Sequence, residues 1–372
     1  MHHHHHKDRL IQKALLGLSL FAFSCDSAPY NNSPDATHLN ETWGEPVVGL
    51  DAGMFEAMQA TTDCVGKDIC NKEPLRISNC TMDIWEAFRI DENEAPSADS
   101  NQYQRPSEAR RDALFEAINS ADIGDEETAL RFARSAGYTL CRLSDALLLL
   151  PDRPEQGGAR IAWRQAASSP AIFEAPHTFY DLGTHTQAVE LFMSLKARAV
   201  IVSGTHRCAS HQESKCDGTG QICGRSEKAF KDSDMAHSSH SFFQVMHEFL
   251  SLRYQQDWIF SLHGMSDDGI SISDGTTFSI EKDTAPAQLG AAFQRVFPNE
   301  YISSCNPYDG ATVEYRLCGT TNIQGRFVNG ANRPCMEPAQ KSSGRFIHME
   351  QSRSIRNQNT KVAEAIRMAL MR

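Results

Sequence analysis

The sequence predicts an α/β fold: a twisted, mostly parallel or mixed sheet with helices on both faces, plus a cysteine-containing N-terminal extension. Three observations indicate this fold. From residue 138 onward, short apolar runs alternate with helical segments along the 372-residue chain. Several of these runs are continuously apolar, which is typical of strands buried on both faces of a sheet. Residues 60–137 lack this alternation and carry cysteines and helical patterns instead.

The elements follow from their patterns in chain order. Apolar residues at three- and four-residue intervals predict core-facing helices, at residues 105–120, 125–137, 184–198, 237–256, 285–297 and 359–372. Short apolar runs predict strands, at residues 138–144, 146–150, 159–164, 171–177, 199–204, 258–264, 269–275 and 344–352. Because strands and helices alternate, we expect ligands to bind beyond the carboxyl ends of the strands.

The chain is predicted to have four parts. Residues 1–25 resemble a signal peptide that ends in a lipobox, since a ten-residue apolar run precedes Cys25. Residues 26–59 are rich in polar and turn-forming residues and are interpreted as a tether. Residues 60–137 form the extension, and residues 138–372 form the α/β domain, which carries an insertion at 208–236. We therefore expect an exported protein, either a lipoprotein anchored through Cys25 at the periplasmic or cell surface, or a secreted one.

The charge of the chain excludes one class of partner. Lys and Arg number 36 and Asp and Glu number 47, which gives a formal net charge of −11. A protein that holds nucleic acid through its phosphates needs a basic surface, so no nucleic-acid partner is expected. Apart from the lipid anchor, no membrane contact is expected, and the chain is predicted to be a monomer.

The cysteines predict disulfides. The chain contains 11, and ten remain when Cys25 is set aside as the lipidated residue. An even set outside a reducing compartment indicates five disulfides, with the pairing left open. A structural zinc site is the competing interpretation, but the chain has no Cys-x-x-Cys pair, the usual thiolate spacing of such sites.

Chemically capable residues stand at the ends of four predicted strands: His177, the segment 205–207, His263 and Glu350. Zinc in a hydrolytic site takes three nitrogen or oxygen ligands from the protein, and His177, Asp181 and His263 satisfy that count. Glu350 is then the candidate general base. Arg207 is a candidate for both catalysis and substrate binding, because its guanidinium suits a carboxylate or an oxyanion. Two further candidates for substrate binding are His206 and Arg353.

The order of these motifs resembles the zinc carboxypeptidase superfamily, and more narrowly the phage-type poly-gamma-glutamate hydrolases and their bacterial relatives. The resemblance rests on HTFYDLGT, THR, SLHG and IHMEQSRSIR in residues 150–372. It implies that His177, Asp181 and His263 hold zinc and that Glu350 is the base. It also implies that Arg207 anchors a substrate with an amide bond near a carboxylate, such as a peptide, a gamma-glutamyl polymer or an N-acyl amino acid. The aspartate four residues after the histidine and the insertion at 208–236 depart from the pattern.

Other interpretations of the same residues remain open at this stage. Asp181 could cap the following helix, and Glu350 could form an ion pair with Arg353 or Arg356. His240 and His247 fit an amphipathic core helix, whereas His237 could still reach the site. A serine hydrolase is not indicated, because no Gly-x-Ser-x-Gly motif occurs. The non-enzyme alternative is a surface lipoprotein of the same fold that binds an anionic peptide or a cell-wall fragment.

Overall fold

The computed structural model of the chain describes residues 75–224 and 226–371, and these belong to one compact unit. The predicted signal peptide, the tether, Cys64 and Cys70 lie outside the described residues. Within the described part, no helix is long and apolar enough to cross a membrane.

The described fold is α/β, as the alternating pattern predicts. The main sheet has nine strands: β1 (Tyr138–Arg142), β2 (Leu147–Pro151), β3 (Arg160–Trp163), β4 (Ser169–Ala175), β5 (Ala197–Val202), β8 (Trp258–Gly264), β9 (Ile270–Ser273), β10 (Ile302–Ser304) and β11 (Phe346–Gln351). A small hairpin of β6 (Thr219–Gly220) and β7 (Lys228–Ala229) lies in the predicted insertion. The helices are α1 (Ile84–Phe88), α2 (Glu108–Asp122), α3 (Glu126–Ala136), α4 (Thr184–Ser194), α5 (Phe242–Arg253), α6 (Ala285–Val296), α7 (Ile323–Val328), α8 (Arg353–Arg356) and α9 (Asn359–Leu370).

Helix ends follow local capping chemistry. α3 begins after Asp125, whose side chain accepts a hydrogen bond from the Thr128 amide, and ends at Gly137 with a φ of 77°. α5 begins later than the predicted segment 237–256, because Ser241 caps it by accepting from the Gln244 amide. The stretch before Ser241 is therefore loop, which leaves His237 outside the helix.

The sheet is mixed, with the strand order β1-β2-β3-β5-β4-β8-β11-β9-β10. The four consecutive central strands β5, β4, β8 and β11 are parallel to one another, whereas β1, β2 and β3 pair antiparallel. β9 runs antiparallel to β11 and parallel to β10. The carboxyl ends of the four central strands therefore meet at one edge, as the placement of a site at these ends requires.

Helices cover both faces of the sheet, and each face has its own hydrophobic core. One core joins α1, α4, α6 and α9 to the strands through residues such as Phe173, Phe260 and Phe293. The other joins α2, α3, α5 and α7 to the opposite face through residues such as Trp163, Phe243 and Ile259. Because both faces are buried, the central strands are apolar for most of their length.

The central strands are not apolar near their carboxyl ends on the face that α5 covers. Successive side chains of a strand point to opposite faces, so Ile259, Ser261 and His263 of β8 share the face of α5. Phe346, His348 and Glu350 of β11 stand beside them, with His348 paired to Ser261 and Glu350 paired to His263. Each strand thus changes from apolar to polar on this face as it approaches the site.

Four disulfides join the described cysteines: Cys80–Cys141, Cys208–Cys223, Cys216–Cys335 and Cys305–Cys318. The expectation of disulfides is confirmed for these eight cysteines, and disulfides of this kind belong to an oxidising compartment. Cys80–Cys141 ties the extension to β1. Cys208–Cys223 and Cys216–Cys335 anchor the predicted insertion at 208–236, and Cys305–Cys318 joins the residue after β10 to the loop that follows it.

Candidate metal centre

His177 and Asp181 reach the site through the turn that follows β4. β4 ends at Ala175, and the amides of Tyr180 and Asp181 both donate to the His177 carbonyl, at 3.0 and 2.8 Å. This turn places the side chain of Asp181 beside the ring of His177 although four residues separate them. The N-cap of α4 is Gly183, and no side chain caps that helix. Asp181 is therefore not the helix cap, and its carboxylate faces the two histidines instead.

Three potential ligand atoms converge at this point. Asp181 Oδ2 lies 3.0 Å from His177 Nδ1 and 3.3 Å from His263 Nδ1. The two Nδ1 atoms lie 3.1 Å apart. All three residues are buried, with 2 to 4% of their surface exposed. Ligand atoms about 2.0 to 2.2 Å from one tetrahedral zinc ion would stand slightly more than 3 Å apart, so the triangle has the size that such an ion needs.

The remaining nitrogen of each histidine is held by a hydrogen-bond partner. His177 Nε2 lies 2.9 Å from Asp234 Oδ1, and His263 Nε2 lies 3.0 Å from Ser261 Oγ. When each Nε2 donates its proton outward, each Nδ1 presents a lone pair toward Asp181. Metal-binding histidines characteristically have such outer partners, which fix the tautomer and the ring orientation. The donor set therefore fits a divalent cation.

Two other acidic and histidine groups overlap this triangle but fit a cation less well. One consists of His177, Asp234 and His237, and the other of His263, His348 and Glu350. In the first, both oxygens of Asp234 already accept hydrogen bonds from an arginine and two imidazoles. In the second, His348 Nε2 and Glu350 Oε1 are 3.9 Å apart, which is wider than the triangle. We therefore assign the candidate metal position to His177, Asp181 and His263.

Burial and the close approach of ionisable groups shift the pKa values of the three residues in the metal-free site. Burial alone would raise the pKa of Asp181, but hydrogen bonds from His177 and His263 hold it well below its usual range. Burial lowers the pKa of His263 to about 4, so this imidazole is neutral at pH 7. Burial and the charge of Arg207 act to lower the pKa of His177, but the charge of Asp234 and the hydrogen bonds that the ring donates to Asp181 and Asp234 raise it overall. Because a proton on His177 Nδ1 competes with a cation, metal binding depends on pH.

Glu350 stands beside the triangle at the end of β11. Its backbone pairs in register with His263, and its side chain lines the cavity described below. Burial, followed by the charge of Asp181, raises its pKa to about 8. Within the described residues, Glu350 forms no ion pair with Arg353 or Arg356, so the structural alternative for this carboxylate is not what the structure shows.

Asp234 connects the candidate metal centre to Arg207. Its Oδ2 accepts from Arg207 Nε at 3.0 Å and from Nη2 at 2.6 Å. Its Oδ1 lies 2.9 Å from His177 Nε2 and 3.0 Å from His237 Nδ1. Burial would raise the pKa of Asp234, but Arg207 and the two histidines hold it well below the usual range. One buried carboxylate thus orients three site residues, and Arg207 Nη1 is left 3.3 Å from His177 Nδ1.

The sequence patterns do not indicate Asp234, and they leave His237 as an open candidate for the site. Both lie in the cysteine-bearing stretch before α5, which has no helical or strand period. The signal that could have identified them is the spacing Asp-x-x-His at 234–237, which permits one carboxylate to contact a nearby imidazole.

The three basic candidates occupy different places. Arg207 is buried and lines the cavity. His206 is half-buried and accepts at Nδ1 from the Cys208 amide, and neither His206 nor the exposed Arg353 lines the cavity. Arg356 lines it instead: its guanidinium donates to the Gln351 carbonyl and fills the space beside Gly264, where any Cβ would collide with it. The glycine after His263 therefore makes room for this arginine.

The site opens into a cavity of about 660 Å³. Its floor carries the triangle, Glu350, Arg207 and Arg356. Its walls come from the turn after β4, the predicted insertion, the loop after β8 and the segment 316–322. The volume is sufficient for a small peptide or an acylated amino acid. Buried ligands beside an open volume form the arrangement that a catalytic metal centre needs, because a substrate and water must reach it.

Comparison with known proteins finds similarity among solved structures, where four chains match. No protein-family model and no curated protein matches the chain. Among solved structures, a bacteriophage poly-gamma-glutamate hydrolase shares 13% identity, covers 61% of this chain and 89% of its own, and has a TM-score of 0.32. A protein from Shewanella amazonensis SB2B described as "a putative metallopeptidase" shares 14% identity, covers 72% and 96%, and has a TM-score of 0.30. The first is a hydrolase of the group that the order of motifs resembles.

Proposed function

We propose that this chain is a zinc-dependent hydrolase of amide bonds near a carboxylate, with a peptide, gamma-glutamyl or N-acyl amino acid substrate. One observation carries the proposal. His177 Nδ1, Asp181 Oδ2 and His263 Nδ1 converge within 3.0 to 3.3 Å beside an open cavity. Two imidazoles and one carboxylate with an open position are a ligand set that catalytic zinc uses.

Zinc, when bound, would supply Lewis-acid polarisation of the scissile carbonyl and would make water more acidic. Glu350 takes the proton of the attacking water on a carboxylate oxygen. The water oxygen bonds to the carbonyl carbon, the C–N bond breaks, and the proton passes from Glu350 to the leaving nitrogen. In the metal-free protein, burial and the charge of Asp181 raise the pKa of Glu350 to about 8, so the carboxyl is mostly protonated at neutral pH. The positive charge of a bound metal ion would lower this pKa and leave the carboxylate able to accept the proton.

Arg207 and Arg356 give the cavity two cationic groups for the substrate. Asp234 holds Nε and Nη2 of Arg207, so its guanidinium is fixed while Nη1 remains directed toward the site. A fixed guanidinium can bind a substrate carboxylate or the oxyanion that develops at the scissile carbonyl. Arg356 provides the second charge on the side of Gly264.

Export and the lipid anchor on Cys25 belong to the same proposal. The four disulfides support a working place outside a reducing compartment. Mass spectrometry of the N-terminal peptide after expression in a bacterial host distinguishes a lipoprotein from a secreted protein. The predicted monomer is checked by sedimentation of the same material.

The activity is tested with purified protein and a panel of amides. Elemental analysis should find about one zinc per chain, and a chelator should abolish amine release until zinc is restored. His263→Ala should lose the metal. Glu350→Gln should keep it, while turnover falls by roughly 10² to 10⁴-fold, the range for one general acid-base group.

The control is His211→Ala, which removes an exposed histidine outside the cavity and should change neither zinc content nor rate. Full zinc in His263→Ala would contradict the ligand assignment. Stoichiometric zinc without hydrolysis of any amide would favour the alternative of a binding protein for anionic peptides or wall fragments.

A further inference from the structure

The mouth of the cavity differs chemically from its floor. The floor is polar and charged, whereas three large apolar side chains on three separate loops remain exposed at the mouth: Tyr180 at 42%, Ile222 at 46% and Leu317 at 41%. All three line the one cavity. Single exposed apolar residues are ordinary on protein surfaces, but several around one opening mark a surface that contacts something else.

Two of these residues are held in place covalently. Ile222 directly precedes Cys223, which pairs with Cys208, and Leu317 directly precedes Cys318, which pairs with Cys305. A free loop that carries an exposed apolar side chain can fold it back against the protein. Here each backbone is fixed one residue away, so both side chains stay at the opening.

Leu317 also has an uncommon backbone conformation. Its φ is 55°, in the left-handed region that bulky residues rarely adopt. Conformations of this kind persist where the surrounding structure imposes them, and they concentrate at functional sites. The strained residue lies between Arg316 and Cys318, both of which line the cavity.

Phe230 adds an aromatic wall from the predicted insertion. Its ring stacks on His237 with centroids 3.6 Å apart. On the insertion side, a Cβ placed on Gly218 would lie 2.7 Å from the Phe230 ring, and one placed on Gly220 would lie 3.2 Å from it. The ring is therefore packed against glycine backbone and imidazole, and it lines the cavity. This wall connects the apolar mouth to His237, which Asp234 links to the candidate metal centre.

We propose that Tyr180, Ile222, Phe230 and Leu317 form a subsite for an apolar side chain of the substrate, next to the amide that is hydrolysed. The inference rests on the proposed function and narrows its substrate to peptides or N-acyl amino acids with an aliphatic or aromatic side chain. A gamma-glutamyl polymer, which carries a carboxylate on every unit, fits this mouth less well, because the mouth presents the exposed apolar side chains of Tyr180, Ile222 and Leu317.

The test compares amide substrates that differ only in one side chain: leucine, phenylalanine, alanine and glutamate. For the zinc-loaded wild type, kcat/KM should be highest with leucine or phenylalanine. The double variant Ile222→Ala with Leu317→Gly removes two side chains, and glycine accepts the backbone of position 317. Its kcat/KM should fall about 10- to 100-fold for leucine and phenylalanine, the range for lost apolar contacts in a pocket, with a change below about threefold for alanine.

Two exposed residues outside the cavity provide matched controls. Tyr315 belongs to the same loop as Leu317, and Met336 directly follows a cystine residue, as Ile222 directly precedes one. Tyr315→Ala and Met336→Ala should leave the preference unchanged. Equal efficiency on all four side chains, a preference for glutamate or gamma-glutamyl amides, or the same loss in the controls would overturn the subsite.

A binding measurement separates this inference from the proposed activity. Because N-acetyl amino acids belong to the proposed substrate class, calorimetry with N-acetyl-leucine, N-acetyl-phenylalanine and N-acetyl-glutamate uses the zinc-loaded Glu350→Gln protein, which keeps the metal and is expected to turn over too slowly to disturb binding. This protein should bind the first two ligands about tenfold more tightly than the third, and it should lose that difference when Ile222→Ala and Leu317→Gly are added. Failure of hydrolysis with this binding preference intact would overturn the activity and retain the subsite, whereas equal binding of the three ligands would overturn the subsite.

Discussion

Replacing Asp234 by Asn tests how far one buried carboxylate organises the candidate metal centre. The carboxylate accepts from His177 and His237 at one oxygen and from Arg207 at the other. An asparagine side chain keeps only one oxygen, so its amide NH₂ must face either the arginine or the two imidazoles. If it faces His177, Nε2 becomes an acceptor and the ring proton moves to Nδ1, the atom assigned to the metal.

The expected loss follows from the role of such an outer partner. Its removal commonly weakens metal binding 10- to 100-fold, which corresponds to about 1.4 to 2.7 kcal/mol. If the NH₂ group faces Arg207 instead, a buried guanidinium loses its partner, and unfolding becomes easier by about 3 to 5 kcal/mol. The first orientation therefore lowers mainly the zinc affinity, and the second lowers mainly the free energy of unfolding.

Zinc affinity is measured by competition with a chromophoric chelator at fixed pH, and unfolding by denaturant titration in excess chelator. The matched control is Asp122→Asn, which alters another buried aspartate that accepts from Arg253 at 2.7 Å and from Trp163 at 3.3 Å, far from the site in the chain. It should lose stability and keep its zinc affinity. The reasoning is refuted if Asp234→Asn changes neither quantity, or if both variants weaken zinc binding equally.

Two further predictions concern stability. In chelator-treated protein, the pKa of Glu350 rises from its ordinary 4.5 to about 8, so its contribution to stability is present below pH 4.5 and is lost as pH rises through 8. Glu350→Gln mimics the neutral acid at every pH. The difference in unfolding free energy between this variant and the wild type should therefore grow in favour of the variant from pH 5 to pH 9, by at most about 1.4 kcal/mol per pH unit. A constant difference across that range would contradict the raised pKa. Replacing both Cys80 and Cys141 by Ala should lower the free energy of unfolding by about 2 to 5 kcal/mol. Zinc affinity should stay unchanged, because neither cysteine lines the cavity and their disulfide joins the extension to β1. A matching loss of zinc affinity would contradict this separation.

Much of the fold could be predicted because each central strand is a short apolar run that can be recognised from its own residues. β8 covers residues 258–264, the same range as its apolar run. β9 was expected, but its antiparallel pairing with β11 was not specified, because strand direction depends on long-range packing. β10 was missed, since a three-residue strand leaves almost no period to detect.

The site could be predicted where its residues follow strands and not where they depend on loops. His177 and His263 stand at strand ends, and parallel neighbours bring such ends together whatever lies between them. Asp234 contacts His177 because the insertion folds back toward the carboxyl ends of the central strands. Disulfides hold the insertion in this conformation, and their pairing cannot be deduced from the sequence. The choice of Arg356 over Arg353 depends on the space beside Gly264, which no pattern within a single segment reveals.

The crossing of two disulfides in the chain makes the order of oxidation matter. Cys208, Cys216 and Cys223 lie within 16 residues of one another, yet Cys216 must wait for Cys335, which is 119 residues later. During synthesis, Cys216 can pair wrongly with either close neighbour before its partner emerges, and thiol exchange must then correct the error. Because the two hydrophobic cores use helices and strands outside these loops, a chain produced in a reducing host can fold its sheet and still lack a formed cavity. A soluble but inactive preparation from such a host would therefore indicate missing or mispaired disulfides. It would not test the chemistry of the native protein.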